Sequence, residues 1–130
     1  MNAQLAILFW SLVIFEVKHF LCDYVFQMPT QLGDKRTYGA RGGLIHAGLH
    51  AVASLPAILL LSRSAPLVLA IVAGEFAVHY HLDWLRTAIK HARGVTHGDR
   101  LYRIVFGADQ LLRQMTYVII LAVLAREIAF

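Results

Sequence analysis

Four long apolar runs dominate this chain of 130 residues and restrict what it can fold into. They cover about 5–26, 44–62, 67–85 and 105–125, and a helix needs roughly 20 mostly apolar residues to cross a bilayer. A water-soluble domain of this size could not bury the apolar surface of a chain that is 58% hydrophobic. The sequence therefore predicts an all-α fold, a polytopic membrane bundle of about four transmembrane helices that forms a single domain over 1–130.

Proline and glycine mark the connections between the runs. Pro29 follows the first run, and Gly39 and Gly42 favour a loop before the second. Pro66 suits the first turn of the third helix. Because no basic segment precedes the first run, we expect a retained helix there and not a signal peptide.

The basic residues are distributed unevenly among these connections. A formal net charge of +4 would suggest nucleic acid in a soluble protein, but all Lys and Arg side chains except Lys18 and Arg113 lie outside the apolar runs, so no nucleic-acid partner is expected. The first and third connections hold most of them, namely Lys35, Arg36, Arg41, Arg86, Lys90, Arg93, Arg100 and Arg103. The opposite side has Arg63 and Arg126. This asymmetry predicts that both termini lie on the non-cytoplasmic side.

Polar side chains interrupt the runs at helical spacing. Steps of three or four residues place a first set on one stripe of the first helix, comprising Glu16, His19, Asp23 and Gln27. Further sets spaced four apart are His46 with His50, then Glu75 with His79 and Asp83, then Asp109 with Arg113, beside Gln110. In four alternating spans, all but the deeper Glu16 and Glu75 lie at one depth, roughly 5–15 Å below the cytoplasmic surface.

A shared depth for these side chains predicts a site. An isolated Asp in lipid costs roughly 2.5–3.5 kcal/mol, so the groups should face the interior and compensate one another or hold an ion. Imidazole and carboxylate suit Zn²⁺, Mn²⁺ or Fe²⁺. The candidate metal ligands are His19, Asp23, His46, His50, His79 and Asp83. Lys35, Arg86 and Arg113 are candidates for binding an anion, Glu75 or Asp109 for a general base, and Glu16, Gln27 and Gln110 for a supporting polar network.

Two other interpretations of the cluster stay open. It could serve as a transient cation or proton site in a transport protein, which four short helices would have to build as a homo-oligomer. It could instead fix helix packing in a small accessory membrane subunit.

The same residues resemble a family of small bacterial membrane proteins known as domain of unknown function 3307. The segment from His19 to Gln27 matches its His-x3-Asp-Phe-x2-Gln pattern, with Tyr24 in place of Phe. Lys35 matches the lysine that follows. Later matches are His46 and His50, then His79, Asp83 and Arg86, then Asp109 and Gln110. Arg113 stands where the family usually has histidine.

This resemblance implies a protein of the bacterial inner (cytoplasmic) membrane. The chain is also loosely similar to membrane-bound metal-dependent hydrolases. Our leading hypothesis is therefore a metal-dependent hydrolase whose partners are membrane lipid and a lipid-linked phosphate or ester substrate.

Overall fold

Helices make up nearly all of the structure, a computed structural model that describes residues 2–29 and 35–128. Its helices are α1 (Ala3–Phe20), continued by a π-helical segment (Leu21–Val25), α2 (Arg41–Ala53), α3 (Leu55–Leu61), α4 (Ala65–Arg93) and α5 (Arg100–Leu124). Within the described ranges, four stretches are long and apolar enough to cross a membrane: Ala3–Val25, Arg41–Leu61, Ala65–Arg93 and Arg100–Leu124. The expected all-α fold with four spans is confirmed, whereas the side on which the termini lie stays a prediction.

Helix α1 starts at a side-chain cap and buries one stripe. The Asn2 carboxamide oxygen accepts a hydrogen bond from the Leu5 N–H at 2.8 Å, which satisfies one of the free amides of the first turn. The buried stripe includes Phe15, Lys18 and Cys22. Successive residues lie about 100° apart around a helix, so Glu16 falls outside this stripe and its side chain is exposed. The expectation that Glu16 belongs to the polar network is therefore not met.

A break at Ser54 divides the second span into α2 and α3. Pro56 lies in the first turn of α3 and has no N–H to donate into α2. The Ser54 N–H bonds to the Ala51 carbonyl at 3.3 Å, so the His50 carbonyl loses the partner that a continuous helix would supply. It accepts instead from the Lys18 ammonium at 3.1 Å and from the Ser54 hydroxyl at 3.2 Å.

Helix α4 extends beyond the apolar run that predicted it. Pro66 lies in its first turn, as expected. The helix continues to Arg93 and ends at Gly94, whose φ of 60° is left-handed and favours glycine. The residues after 85 are more polar than the preceding run, and they extend α4 into the end of the bundle where Lys35, Arg36 and His97 line one cavity. We call this the basic end of the bundle.

The two ends of the bundle differ in what they bury. Towards the opposite end, an apolar core includes Phe15, Ile58 and Leu124, all fully buried. Large apolar side chains such as Trp10 and Leu69 cover the outer surface, as expected for helices in contact with lipid. The polar cluster lies between this core and the basic end.

Candidate metal centre

Four predicted ligands from three parts of the bundle converge on one point. Asp23 comes from the π-helical segment, His46 and His50 from α2, and His79 from α4. Each offers one ligand atom, and these atoms all lie within 4.8 Å of one another. The His50 Nε2 is 2.9 Å from Asp23 Oδ1, and the centroids of the His50 and His79 rings are 3.8 Å apart. We call these four residues the ligand group.

The π-helical segment gives Asp23 its place in the ligand group. The Phe26 N–H bonds to the Leu21 carbonyl, five residues back, at 2.8 Å. The wider turn rotates the chain relative to a regular α-helix, and such segments are frequent at functional sites. A strict spacing of three or four residues could not predict this rotation.

The donor set of the ligand group fits a divalent metal. Three imidazoles and one carboxylate form a typical set for Zn²⁺, Mn²⁺ or Fe²⁺. His46 Nε2 lies 3.1 Å from Asp23 Oδ1. Within the described part of the chain, neither ring nitrogen of His46 has a hydrogen bond of normal geometry, and Nδ1 of His50 lacks one too. Buried polar atoms are rarely left without a partner, and metal coordination would satisfy one nitrogen of each ring.

Arg113 is the fifth side chain at this point. Its Nη1 donates to His79 Nε2 at 2.8 Å and approaches Asp23 Oδ2 at 3.4 Å. Its Nη2 donates to Asp83 Oδ1 at 2.7 Å and to Asp109 Oδ1 at 3.1 Å. The side chain is 2% exposed, and three carboxylates compensate its charge. This position does not fit the predicted binding of an external anion; Arg113 acts as an internal counter-ion.

Two more carboxylates join the cluster to the basic end. Asp83 contacts Lys35 at 2.6 Å and Arg86 at 2.7 Å, and Asp109 contacts Arg86 at 3.2 Å. Burial lowers the pKa of Lys35, while the Asp83 carboxylate opposes that shift. Asp83 Oδ2 is 4.0 Å from His46 Nε2, so Asp83 lies at the edge of the ligand group. Both Asp109 oxygens are held in ion pairs, Oδ1 with Arg113 and Oδ2 with Arg86, and this geometry does not support the predicted role of Asp109 as a general base.

His19 of α1 and two predicted amides, Gln27 and Gln110 of α5, surround Asp23. His19 Nε2 lies 3.3 Å from Asp23 Oδ2 and 2.8 Å from Gln110 Oε1, so this histidine orients a ligand rather than joining the ligand group. In the amide orientation that suits its neighbours, Gln27 donates to the Asp23 carbonyl at 3.0 Å and accepts from Lys35 at 2.8 Å.

Tyr117 is a member of the cluster that the sequence analysis missed. Its hydroxyl is 3.0 Å from His19 Nδ1, and its ring lies 4.5 Å from the Lys18 ammonium. It follows Arg113 by four residues on α5, so the four-residue spacing that identified the other polar residues could also have identified Tyr117.

A buried ion pair lies one turn deeper than the ligand group. The Lys18 ammonium contacts Glu75 Oε1 at 2.5 Å, and both side chains are nearly inaccessible. Glu75 Oε2 has no hydrogen bond among the described residues.

The cluster as a whole is balanced in formal charge. Its four carboxylates belong to Asp23, Glu75, Asp83 and Asp109, and its four cations to Lys18, Lys35, Arg86 and Arg113. Such pairing is what a low-dielectric interior requires.

A cavity at the basic end leads towards the ligand group. It encloses about 500 Å³ and is lined by cations that include Lys35, Arg36, Arg86 and Lys90. No acidic side chain of the described chain lines it. We call it the basic pocket. A recess of about 60 Å³ shares Gln27 and Arg86 with the basic pocket and reaches Asp23. An anion in the basic pocket would therefore lie beside the ligand group.

Comparison with known proteins supplies the family but no described activity. No curated protein and no solved structure matches the chain. A family model described as a protein of unknown function, DUF3307, matches residues 11–129. This range includes every member of the ligand group and the basic pocket, and the chain therefore belongs to the DUF3307 family.

Proposed function

We propose that this protein is a metal-dependent hydrolase of the bacterial inner membrane, acting on a membrane-associated phosphate or ester substrate. The observation that carries the proposal is the recess that joins the basic pocket to Asp23. The recess supports the proposal because it brings the basic pocket next to a set of side chains with the chemistry of a metal centre. Membrane lipid is the surrounding partner.

A divalent metal bound by the ligand group would supply Lewis acidity and a water of lowered pKa. Asp23 is the ligand that lines the recess, so it is the ligand nearest to an incoming substrate. Lys35 and Arg86 lie at the boundary between pocket and cluster, where each also pairs with Asp83, so an incoming phosphate oxygen would share their charge with that carboxylate. His19 and Gln110 fix the orientation of Asp23.

Of the two carboxylates proposed as general base, Glu75 is the better placed. Glu75 lines a void of about 10 Å³ together with His79, and its Oε2 has no hydrogen bond among the described residues. That volume is close to the least that holds one water molecule, which could carry a proton between the Glu75 carboxylate and the ligand group.

The proposal is tested by metal content and hydrolysis measured together. Protein purified in detergent is loaded with Zn²⁺, Mn²⁺ or Fe²⁺, and bound metal and release of phosphate from a short-chain phosphatidic acid are quantified. Asp23→Asn and His50→Gln should each lose bound metal and turnover. His81→Gln, an exposed histidine of α4 outside the cluster, should keep both. Turnover that survives both ligand variants would refute the metal-dependent mechanism.

A purely structural network is the second candidate, and the charge balance favours it. Because Arg113 already compensates Asp23, Asp83 and Asp109, the bundle does not need a metal for neutrality. In this case the purified protein would bind no metal and His50→Gln would chiefly lower stability. Transport through a homo-oligomer would instead give metal binding without hydrolysis, together with cation flux into vesicles.

A further inference from the structure

A second, apolar groove opens between α4 and α5 next to the basic pocket. It encloses about 120 Å³, and its apolar lining comprises Leu82, Leu85, Ile89, Val105, Ala108 and Leu112. Leu85 is 48% exposed and Leu112 50% exposed, so the groove faces outward, where helices of a membrane protein meet lipid. We call it the α4–α5 groove.

The groove and the basic pocket are adjacent. Arg86 and Val105 line both, and Asp109 also lines the groove. The Arg86 guanidinium is held at this junction by Asp83 at 2.7 Å and by Asp109 at 3.2 Å, while its side chain stays 24% exposed. The Arg86 guanidinium, paired with both carboxylates, therefore lies where the apolar α4–α5 groove meets a pocket lined by further cations.

We infer that the ligand of the basic pocket is an anionic lipid that enters sideways from the bilayer, with its phosphate in the pocket and an acyl chain in the α4–α5 groove. The inference rests on the proposed function for the role of the pocket, and it adds the substrate class and the entry route. A soluble phosphate would use the cations alone and leave the groove unexplained. An amphiphile matches both charge and apolarity at once, because each buried methylene contributes about 0.8 kcal/mol.

The cations that face the headgroup can be separated from those inside the cluster. Arg36 and Lys90 are exposed pocket residues, whereas Lys35 is buried against Asp83. Arg36 and Lys90 can therefore be neutralised without exposing a buried carboxylate. Each basic residue near a membrane surface adds about 1 kcal/mol to the attraction for anionic lipid.

Lipid binding tests this inference independently of metal and hydrolysis. The protein is reconstituted in nanodiscs of phosphatidylcholine and phosphatidic acid with a chelator present, and retained lipids are counted by native mass spectrometry. Wild-type protein should retain phosphatidic acid in preference to phosphatidylcholine. The R36Q/K90Q double variant should lose this preference by roughly tenfold or more, and added inorganic phosphate should compete only weakly.

Filling the groove tests the entry route. Ala108→Trp should reduce retention of phosphatidic acid by roughly tenfold through lost acyl contact, and Ala108→Leu should reduce it less. Ala122→Trp, at another exposed alanine of α5, is the matched control and should bind as wild type. Equal retention by the Ala108 and Ala122 variants, or full displacement by inorganic phosphate, would overturn the inference. If lipid retention follows the prediction, but the metal-loaded protein neither binds metal nor hydrolyses phosphatidic acid, the inference stands and the hydrolase proposal is refuted.

Discussion

Replacing Arg113 by glutamine tests whether the Arg113 guanidinium and a bound metal ion compete for the same side chains of the ligand group. In the structure, Arg113 Nη1 lies 2.8 Å from Nε2 of His79, a predicted metal ligand. A metal bound there would lie within about 4 Å of the guanidinium, and two unit charges at that separation interact by about 4 kcal/mol at an effective dielectric constant of 20. Removing the positive charge should therefore tighten metal binding by at least roughly tenfold, even after the guanidinium has moved aside.

The same substitution should have the opposite effect without metal. Asp23, Asp83 and Asp109 would lose a shared partner, and breaking a buried ion pair on one side costs about 3–5 kcal/mol. We expect R113Q to unfold earlier than wild type in chelator and to recover on addition of Zn²⁺ or Mn²⁺. Thermal unfolding in detergent, followed with increasing metal, measures both effects.

The control is Arg63→Gln, an exposed arginine in the turn before α4. It should change neither the unfolding temperature in chelator nor the response to metal. If R113Q responded to metal no more than wild type and R63Q, the reasoning that Arg113 and a cation compete for the ligand group would be refuted.

Three further predictions concern the frame around the cluster. Lys18→Met should destabilise the protein by about 3–5 kcal/mol, because the buried Glu75 carboxylate would lose its partner. The K18M/E75L double variant should recover most of that loss of stability in chemical unfolding. A double variant as unstable as K18M would contradict this prediction. Gly94→Ala should cost about 1–2 kcal/mol at a φ of 60°, and an unchanged unfolding free energy would argue against a left-handed end to α4. Cysteines placed at Arg63 and Lys90 should be labelled from opposite sides of the membrane, with Lys90→Cys reactive from the cytoplasm, whereas labelling of both from one side would overturn the topology.

The four spans and the shared depth of the polar residues could be predicted from the sequence. Both follow from local rules, because apolar length sets the spans and alternating direction brings His46 and His79 to the same end. The contacts among the side chains of the cluster confirm this convergence. Which membrane face that end meets remains a prediction.

Sequence spacing could not predict how each helix is rotated about its own axis in the bundle. Glu16 and Lys18 are two residues apart on α1. The predicted polar stripe included Glu16, but the structure buries Lys18 instead, because the buried face of α1 is set by packing against α3 and α5. The part played by Arg113 was also hidden. Its spacing placed it beside Asp109, but only the bundle shows that its reach covers Asp23 and Asp83 as well.

X-ray absorption spectroscopy of the purified protein at the zinc, manganese and iron edges tests the central claim most directly. The account predicts a bound metal with nitrogen and oxygen neighbours at about 2.0–2.2 Å and the outer-shell scattering of imidazole rings. That imidazole scattering should decrease in His46→Ala and His50→Ala. Protein without stoichiometric metal after loading, or a metal surrounded by water oxygens alone, would contradict the assignment of Asp23, His46, His50 and His79 as a metal centre.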